Sequence, residues 1–137
     1  MKRCVAIFPQ IQHAIIIDCV VGVPDYDDAT LDRNSVICKA LIDTGAMKTC
    51  ISKRVADFLG MIPSGTMKVT VANGQTDVVN THVINLTLGG DIRFSPLTVP
   101  RLDMMGQDII IGMDLLSKGN TVISNSDQGT TFVFEVP

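Results

Sequence analysis

Strand-length stretches, some alternating between apolar and polar residues and some continuously apolar, dominate this 137-residue chain. Residues 14–21 (AIIIDCVV) and 35–42 (SVICKALI) are short runs rich in β-branched side chains, which predicts two strands paired as a hairpin. Between them, residues 22–34 hold Pro24 and the aspartates 25, 27, 28 and 32, and read as an exposed loop. Met67, Val69 and Val71 alternate with Lys68 and Thr70 and run into Asn73-Gly74, a pair that favours a tight hairpin. The return strand alternates Ile84, Leu86 and Leu88 with Asn85 and Thr87, and Gly89-Gly90 turns the chain into residues 92–94. Ile109-Ile110-Ile111 has the continuous apolar character of a buried strand and ends at Gly112. Residues 121–124 and 130–136 are the last strand candidates.

Helical signals are few. Residues 52–59 (SKRVADFL) begin with a capping serine, place Val55, Phe58 and Leu59 on one face, and stop at Gly60. Residues 114–118 form a second short helix ended by Gly119-Asn120. The pattern predicts an all-β fold with two short helices, without internal repeats, as one domain over residues 1–137.

Composition narrows the partners. Apolar residues make up 46% of the chain and aromatic ones only 4%, so the core must be aliphatic. The net charge is −3 and the lysines and arginines are scattered, unlike the clustered basic face that neutralises phosphates, so nucleic acid is not an expected partner. No window is apolar for the roughly 18 residues that a membrane helix requires. Met1-Lys2-Arg3 resembles the start of a leader, but Pro9, Gln10, Gln12 and His13 break the following stretch, which reads as cytoplasmic. Cys4, Cys19, Cys38 and Cys50 contain no C-x-x-C pair, and His13 and His82 stand alone, so no metal and no cofactor are expected. The aspartate-rich loop has Ala29 where a calcium loop needs a ligand, and reads as a solvated acidic segment.

The chemistry concentrates in Leu41-Ile42-Asp43-Thr44-Gly45-Ala46. An apolar strand delivers a carboxylate to a turn in which Gly45 permits close backbone approach and the Thr44 hydroxyl can lock the bend. Such a tripeptide alone would be only a β-turn. Its context is Thr49-Cys50-Ile51 with a capped helix after it, and much later Ile110-Ile111-Gly112-Met113-Asp114-Leu115-Leu116. With these two spaced motifs and the hairpin between them, the chain resembles the retropepsin-like aspartic peptidases, from about residue 14 to residue 124.

That resemblance implies a closed β-barrel forming one lobe of an aspartic endopeptidase. Asp43 would be the catalytic carboxylate, supported by Thr44, Gly45 and Ala46. Ala72, Asn73, Gly74 and Gln75 would form a flap over a peptide or protein substrate, and Ile110, Ile111 and Gly112 would cross behind the active-site turn. Viral members carry an acidic residue and an arginine where this chain has Met47 and Met113, and the two methionines are expected to pack on each other or on shared neighbours close to the turn. The chemistry needs two carboxylates and the chain holds a single Asp-(Thr/Ser)-Gly, so the resemblance implies a homodimer. Residues 130–136, with Phe132 and Phe134, are expected to join its interface. The alternative is a catalytically silent module on the same fold that captures extended peptides by strand addition.

Overall fold

The computed structural model describes residues 1–70, 73–104 and 106–137. Ten strands and two helices follow in order: β1 (Lys2–Phe8), β2 (Ile15–Pro24), β3 (Asp32–Ile42), β4 (Cys50–Ser52), α1 (Lys53–Phe58), β5 (Gly65–Thr70), β6 (Thr76–Leu88), β7 (Ile92–Leu102), β8 (Ile109–Ile111), α2 (Met113–Leu116), β9 (Asn120–Ser126) and β10 (Gly129–Val136).

Seven strands lie side by side in the order β2-β3-β8-β4-β7-β6-β5. A further pairing of β2 with β6, from Cys19↔Leu88 to Gly22↔Asn85, joins the sheet to itself and makes a ring of strands with β5 hung outside β6. Alternation dictates which side faces in. Along β2, Ile15, Ile17, Cys19, Val21 and Val23 are buried, while Ile16 and Asp18 are exposed. The second half of β6 places Ile84, Leu86 and Leu88 in the same core, with Val99 of β7 and Ile109 and Ile111 of β8. Burying one such aliphatic side chain contributes about 1.5–3 kcal/mol. No helix is long and apolar enough to cross a membrane among the described residues.

The remaining strands form a second sheet in the order β1-β10-β9. β10 turns Phe132 and Phe134 fully into the core, and its other face carries Val133 and Glu135. Both edges of β10 are taken, by β1 and β9, so residues 130–136 offer no open backbone edge. The edges left over belong to β1 and β9. β1 itself is not among the predicted elements, although Cys4, Ala6 and Phe8 alternate inward along it.

Element boundaries shift in instructive ways. The β2–β3 hairpin is longer than residues 14–42 implied, leaving only residues 25–31 as loop, because Gly22 and Val23 continue to pair with Ser35 and Asn34. Ser52 caps α1 as expected, its Oγ accepting from Val55 N at 3.1 Å, and Gly60 takes the left-handed conformation at φ 65°. Phe58, however, is 74% exposed and does not share the inward face with Val55 and Leu59. A six-residue helix makes fewer than two turns and buries only one narrow stripe.

Candidate functional site

Two short strands, β8 and β4, support the end of β3 that leads into the Asp43 turn. β8 runs parallel to the end of β3, with Ala40↔Ile109, Leu41↔Ile110 and Ile42↔Ile111 in register, and antiparallel to β4. The ladder continues one step, as Asp43 N donates to Ile111 O at 2.9 Å. The chain then bends: Ala46 N donates to Asp43 O at 3.2 Å, and Gly45 N donates to Asp43 Oδ1 at 2.9 Å. The backbone of the turn therefore aims the carboxylate it carries. Asp43 is half-buried, and Thr44 and Gly45 are exposed. A Cβ on Gly45 would lie 3.2 Å from Asp43 Oδ1, crowding the oxygen that its own N–H holds.

Gly112 shows why an apolar-apolar-glycine sequence is required here. A Cβ at that position would meet Ala46 O at 2.8 Å and Lys48 backbone atoms at 2.9 Å. The close approach lets Met113 N donate to Ala46 O at 2.8 Å and Asp114 N to Met47 O at 3.2 Å. The Asp43 turn and the start of α2 are thus sewn together through the main chain, with Ile110 and Ile111 immediately behind.

The side-chain lock is Thr49, which sequence reasoning did not single out. Its Oγ1 donates to Asp114 Oδ1 at 2.8 Å and accepts from Gly112 N at 3.1 Å, while its own N–H donates to Asp114 Oδ1 at 3.0 Å. Thr44, whose hydroxyl is expected to lock the bend, lines an open depression with Met113 and Leu116 of α2 and Thr121 and Ile123 of β9. Only a threonine spaced from an aspartate far downstream could have signalled the Thr49 bond, and a single sequence does not carry that pairing.

Met47 and Met113 are not packed away beside the turn, on each other or on shared neighbours, as expected of them. Met47 is 83% exposed and Met113 40%, and what joins their segments is backbone hydrogen bonding. Behind the turn, Cys50 is buried, with Sγ 3.6 Å from Met104 Sδ. Burial pushes its thiol up to about 11, with the Asp114 and Asp43 carboxylates acting in the same direction and the Ile110 backbone against it.

Asn73, Gly74 and Gln75 end the β5–β6 hairpin; Ala72, the fourth residue expected at this tip, lies outside the described residues. The tip is not the two-residue turn that Asn-Gly favours. Thr70 pairs with Thr76, so five residues connect the strands, and of the Asn73-Gly74 pair only Gly74 has positive φ, at 85°. Asn73 Oδ1 accepts from Gln75 N at 2.9 Å and shapes the bend instead. Among the described residues, no three His, Cys, Asp or Glu side chains are grouped to hold a metal ion.

Comparison with known proteins agrees with this architecture. An Arabidopsis thaliana protein, DNA-DAMAGE INDUCIBLE 1, is 29% identical over 97 residues, covering 68% of this chain and only 23% of its own length. The retroviral protease-like domain of Ddi1 from Leishmania major superposes with a TM-score of 0.50 at 20% identity, covering 80% of this chain and 79% of that one. A retropepsin-like aspartic protease from Rickettsia conorii gives 0.51 at 16% identity, covering 92% and 97%. At those identities the two structures speak for the fold alone, and the fold is retropepsin-like. The family model described as "gag-polyprotein putative aspartyl protease" matches residues 29–118, most of the chain and the whole of the Asp43 site, and the chain belongs to that family.

Proposed function

We propose that the chain is one half of a homodimeric aspartic endopeptidase in which two copies of Asp43 face each other across a two-fold axis. The observation that carries this reading is the Asp43 turn: a half-buried carboxylate, one oxygen held by Gly45 N, presented at the end of a strand whose geometry Gly112 and Thr49 fix. Two such carboxylates brought close cannot both ionise, so the pair holds one proton between them. The ionised partner takes a proton from the attacking water, and the protonated one polarises the scissile carbonyl. Residues 1–137 act as one domain, the β5–β6 tip serves as a flap, and the substrate is a peptide or protein chain. Four cysteines that all remain free favour a cytoplasmic setting.

The test is a purified Asp43→Asn variant, whose carboxamide keeps the shape and loses both the shared proton and the base. Cleavage should vanish while the circular dichroism spectrum is kept. Specific activity of the unaltered protein should also fall on dilution below its dimer dissociation constant. Undiminished turnover in Asp43→Asn would overturn the catalytic role, and a fully active monomer by sedimentation would overturn the dimer. The silent peptide-binding alternative predicts binding of a statine peptide with no cleavage by either protein.

A further inference from the structure

Beside Ala40–Ile42, β3 is flanked by β8, but along residues 34–38 the same edge is open among the described residues. The direction of its backbone groups follows from two bonds. Asp43 N reaches Ile111 O, and Lys39 N reaches Asp108 Oδ2, so alternate residues point away from β2. Ile37 and Ser35 continue that alternation and present their N–H and C=O groups outward.

This edge is one wall of a groove whose other wall is α1. Val36, Ile37 and Cys38 line it from the strand, and Val55 and Phe58 from the helix, around a volume of about 170 Å³. Both ends are pinned. At one, Asp108 accepts from Lys39 N and from the Arg54 guanidinium. At the other, Asn34 Nδ2 donates to Leu59 O at 3.4 Å. Ile37 and Phe58, both more than 70% exposed, form apolar rims. Asp108 already answers the edge at Lys39 as a neighbouring strand would, and the open groups follow directly after it.

We propose that this groove is a docking site, distinct from the Asp43 site, for a short extended peptide segment of another protein. The segment adds to the β3 edge by main-chain hydrogen bonds at Ile37 and Ser35 and lays an apolar side chain between Cys38 and Phe58. Open strand groups are matched by an extended backbone, and not by a helix, whose own groups are already paired, or by a small apolar molecule, which has none to offer. The pinned ends set its length at about four residues, at roughly 3.3 Å each. The site does not depend on catalysis, so it survives even where the peptidase reading fails.

The probe is a fluorescent peptide of alternating valine and threonine flanked by lysines, read by anisotropy and by amide hydrogen exchange. Binding should slow exchange at Ile37 and Ser35, and a statine peptide should not displace the probe. Ile37→Pro removes an outward N–H, which an edge strand tolerates, and Phe58→Ala removes an exposed rim. Each variant should keep the wild-type spectrum and raise the probe's Kd at least tenfold. Equal binding by both variants, displacement by statine, or protection at the β5–β6 tip instead would overturn the proposal. So would self-association in the absence of probe that Ile37→Pro abolishes, since the occupant would then be a second copy.

Discussion

Thr49 and Asp114 are 65 positions apart, yet Thr49 gives Asp114 Oδ1 both its hydroxyl and its backbone N–H, at 2.8 and 3.0 Å. Thr49 is fully buried, and its oxygen also accepts from Gly112 N. Thr49→Val keeps the shape, leaves the buried Gly112 N–H without its acceptor, and takes the hydroxyl donor from the half-buried Asp114 Oδ1, which keeps the backbone N–H groups at Thr49 and Leu115. The expected loss is about 1–3 kcal/mol in urea unfolding, with kcat falling more than KM rises because the turn carrying Asp43 loosens. Asp114→Asn retains one acceptor and should cost less. A double-mutant cycle giving strictly additive losses would show that the bond does not couple the two segments.

Gly112→Ala tests the close approach of the same segments. Its φ is an ordinary −100°, so conformational freedom is not what requires glycine there. The added methyl meets backbone at Ala46 and Lys48, which cannot swing aside as a side chain could. Destabilisation of about 1–3 kcal/mol is expected from the overpacking, with cleavage lost more steeply than stability. An unchanged melting temperature would mean that the Asp43 turn and α2 are free to separate.

Met47→Asp should now be nearly neutral in the isolated chain, within about 0.5 kcal/mol, as at other exposed positions. The side chain is 83% exposed, so a carboxylate placed there stays hydrated. Chemical unfolding checks this directly, and a loss of several kcal/mol would place Met47 in a buried setting after all.

His82 supplies an acid sensitivity. It is fully buried in β6, and among the described residues neither ring nitrogen has a hydrogen-bonding partner; the Ile62 backbone approaches without the required geometry. Loss of water and then the Arg101 charge hold its pKa below the usual 6.5, against the Ile62 backbone and the Asp57 carboxylate, which favour the charged ring. The unfolded chain therefore binds a proton that the folded chain refuses. Stability is present in full above about pH 6.5 and is lost as pH falls below it, by at most about 1.4 kcal/mol per pH unit, until the folded ring titrates. Asp28 and Asp57 have lowered values and lose their contributions only under more acidic conditions. His82→Phe should flatten the curve below about pH 6.5, and an unchanged slope there would remove His82 from the explanation.

Much of this fold could be read in the chain because alternation and turn chemistry are local. The β2–β3 hairpin, the Ile109–Ile111 strand, the serine cap of α1 and the Gly89-Gly90 turn each needed only neighbouring residues. What escaped depends on distant partners. β1 holds two charged residues and is followed by Pro9, and it becomes a strand because β10 offers it an edge. The Met47 and Met113 expectation failed for a related reason: residues adjacent to one turn were assumed to face inward, whereas the backbone joins the segments and leaves both side chains outside. Thr49 is the mirror case, an inconspicuous residue made central by an aspartate far along the sequence.

The β5–β6 tip should open far more readily than the ring beneath it. Among the described residues β5 pairs only with β6, and its residues are exposed or half-buried, so little apolar contact opposes its release. β6 changes character along its length: Thr76, Asp77 and Val78 are exposed, while Ile84, Leu86 and Leu88 are sealed in the core, Leu86 and Leu88 being paired on both sides. Local opening free energies follow such contact, from near zero at frayed ends to the global value in the core. Amide exchange at Lys68, Thr70 and Val78 should therefore be at least a hundredfold faster than at Leu86. A statine peptide bound over Asp43 should slow those tip amides and leave Leu86 unchanged, because a gate closes only over an occupied site. Gly74→Val, forced to φ 85° with a branched side chain, should lower kcat/KM several-fold while shifting the melting temperature little. Tip amides that exchange as slowly as Leu86, or that ignore the bound peptide, would make this hairpin a fixed part of the body.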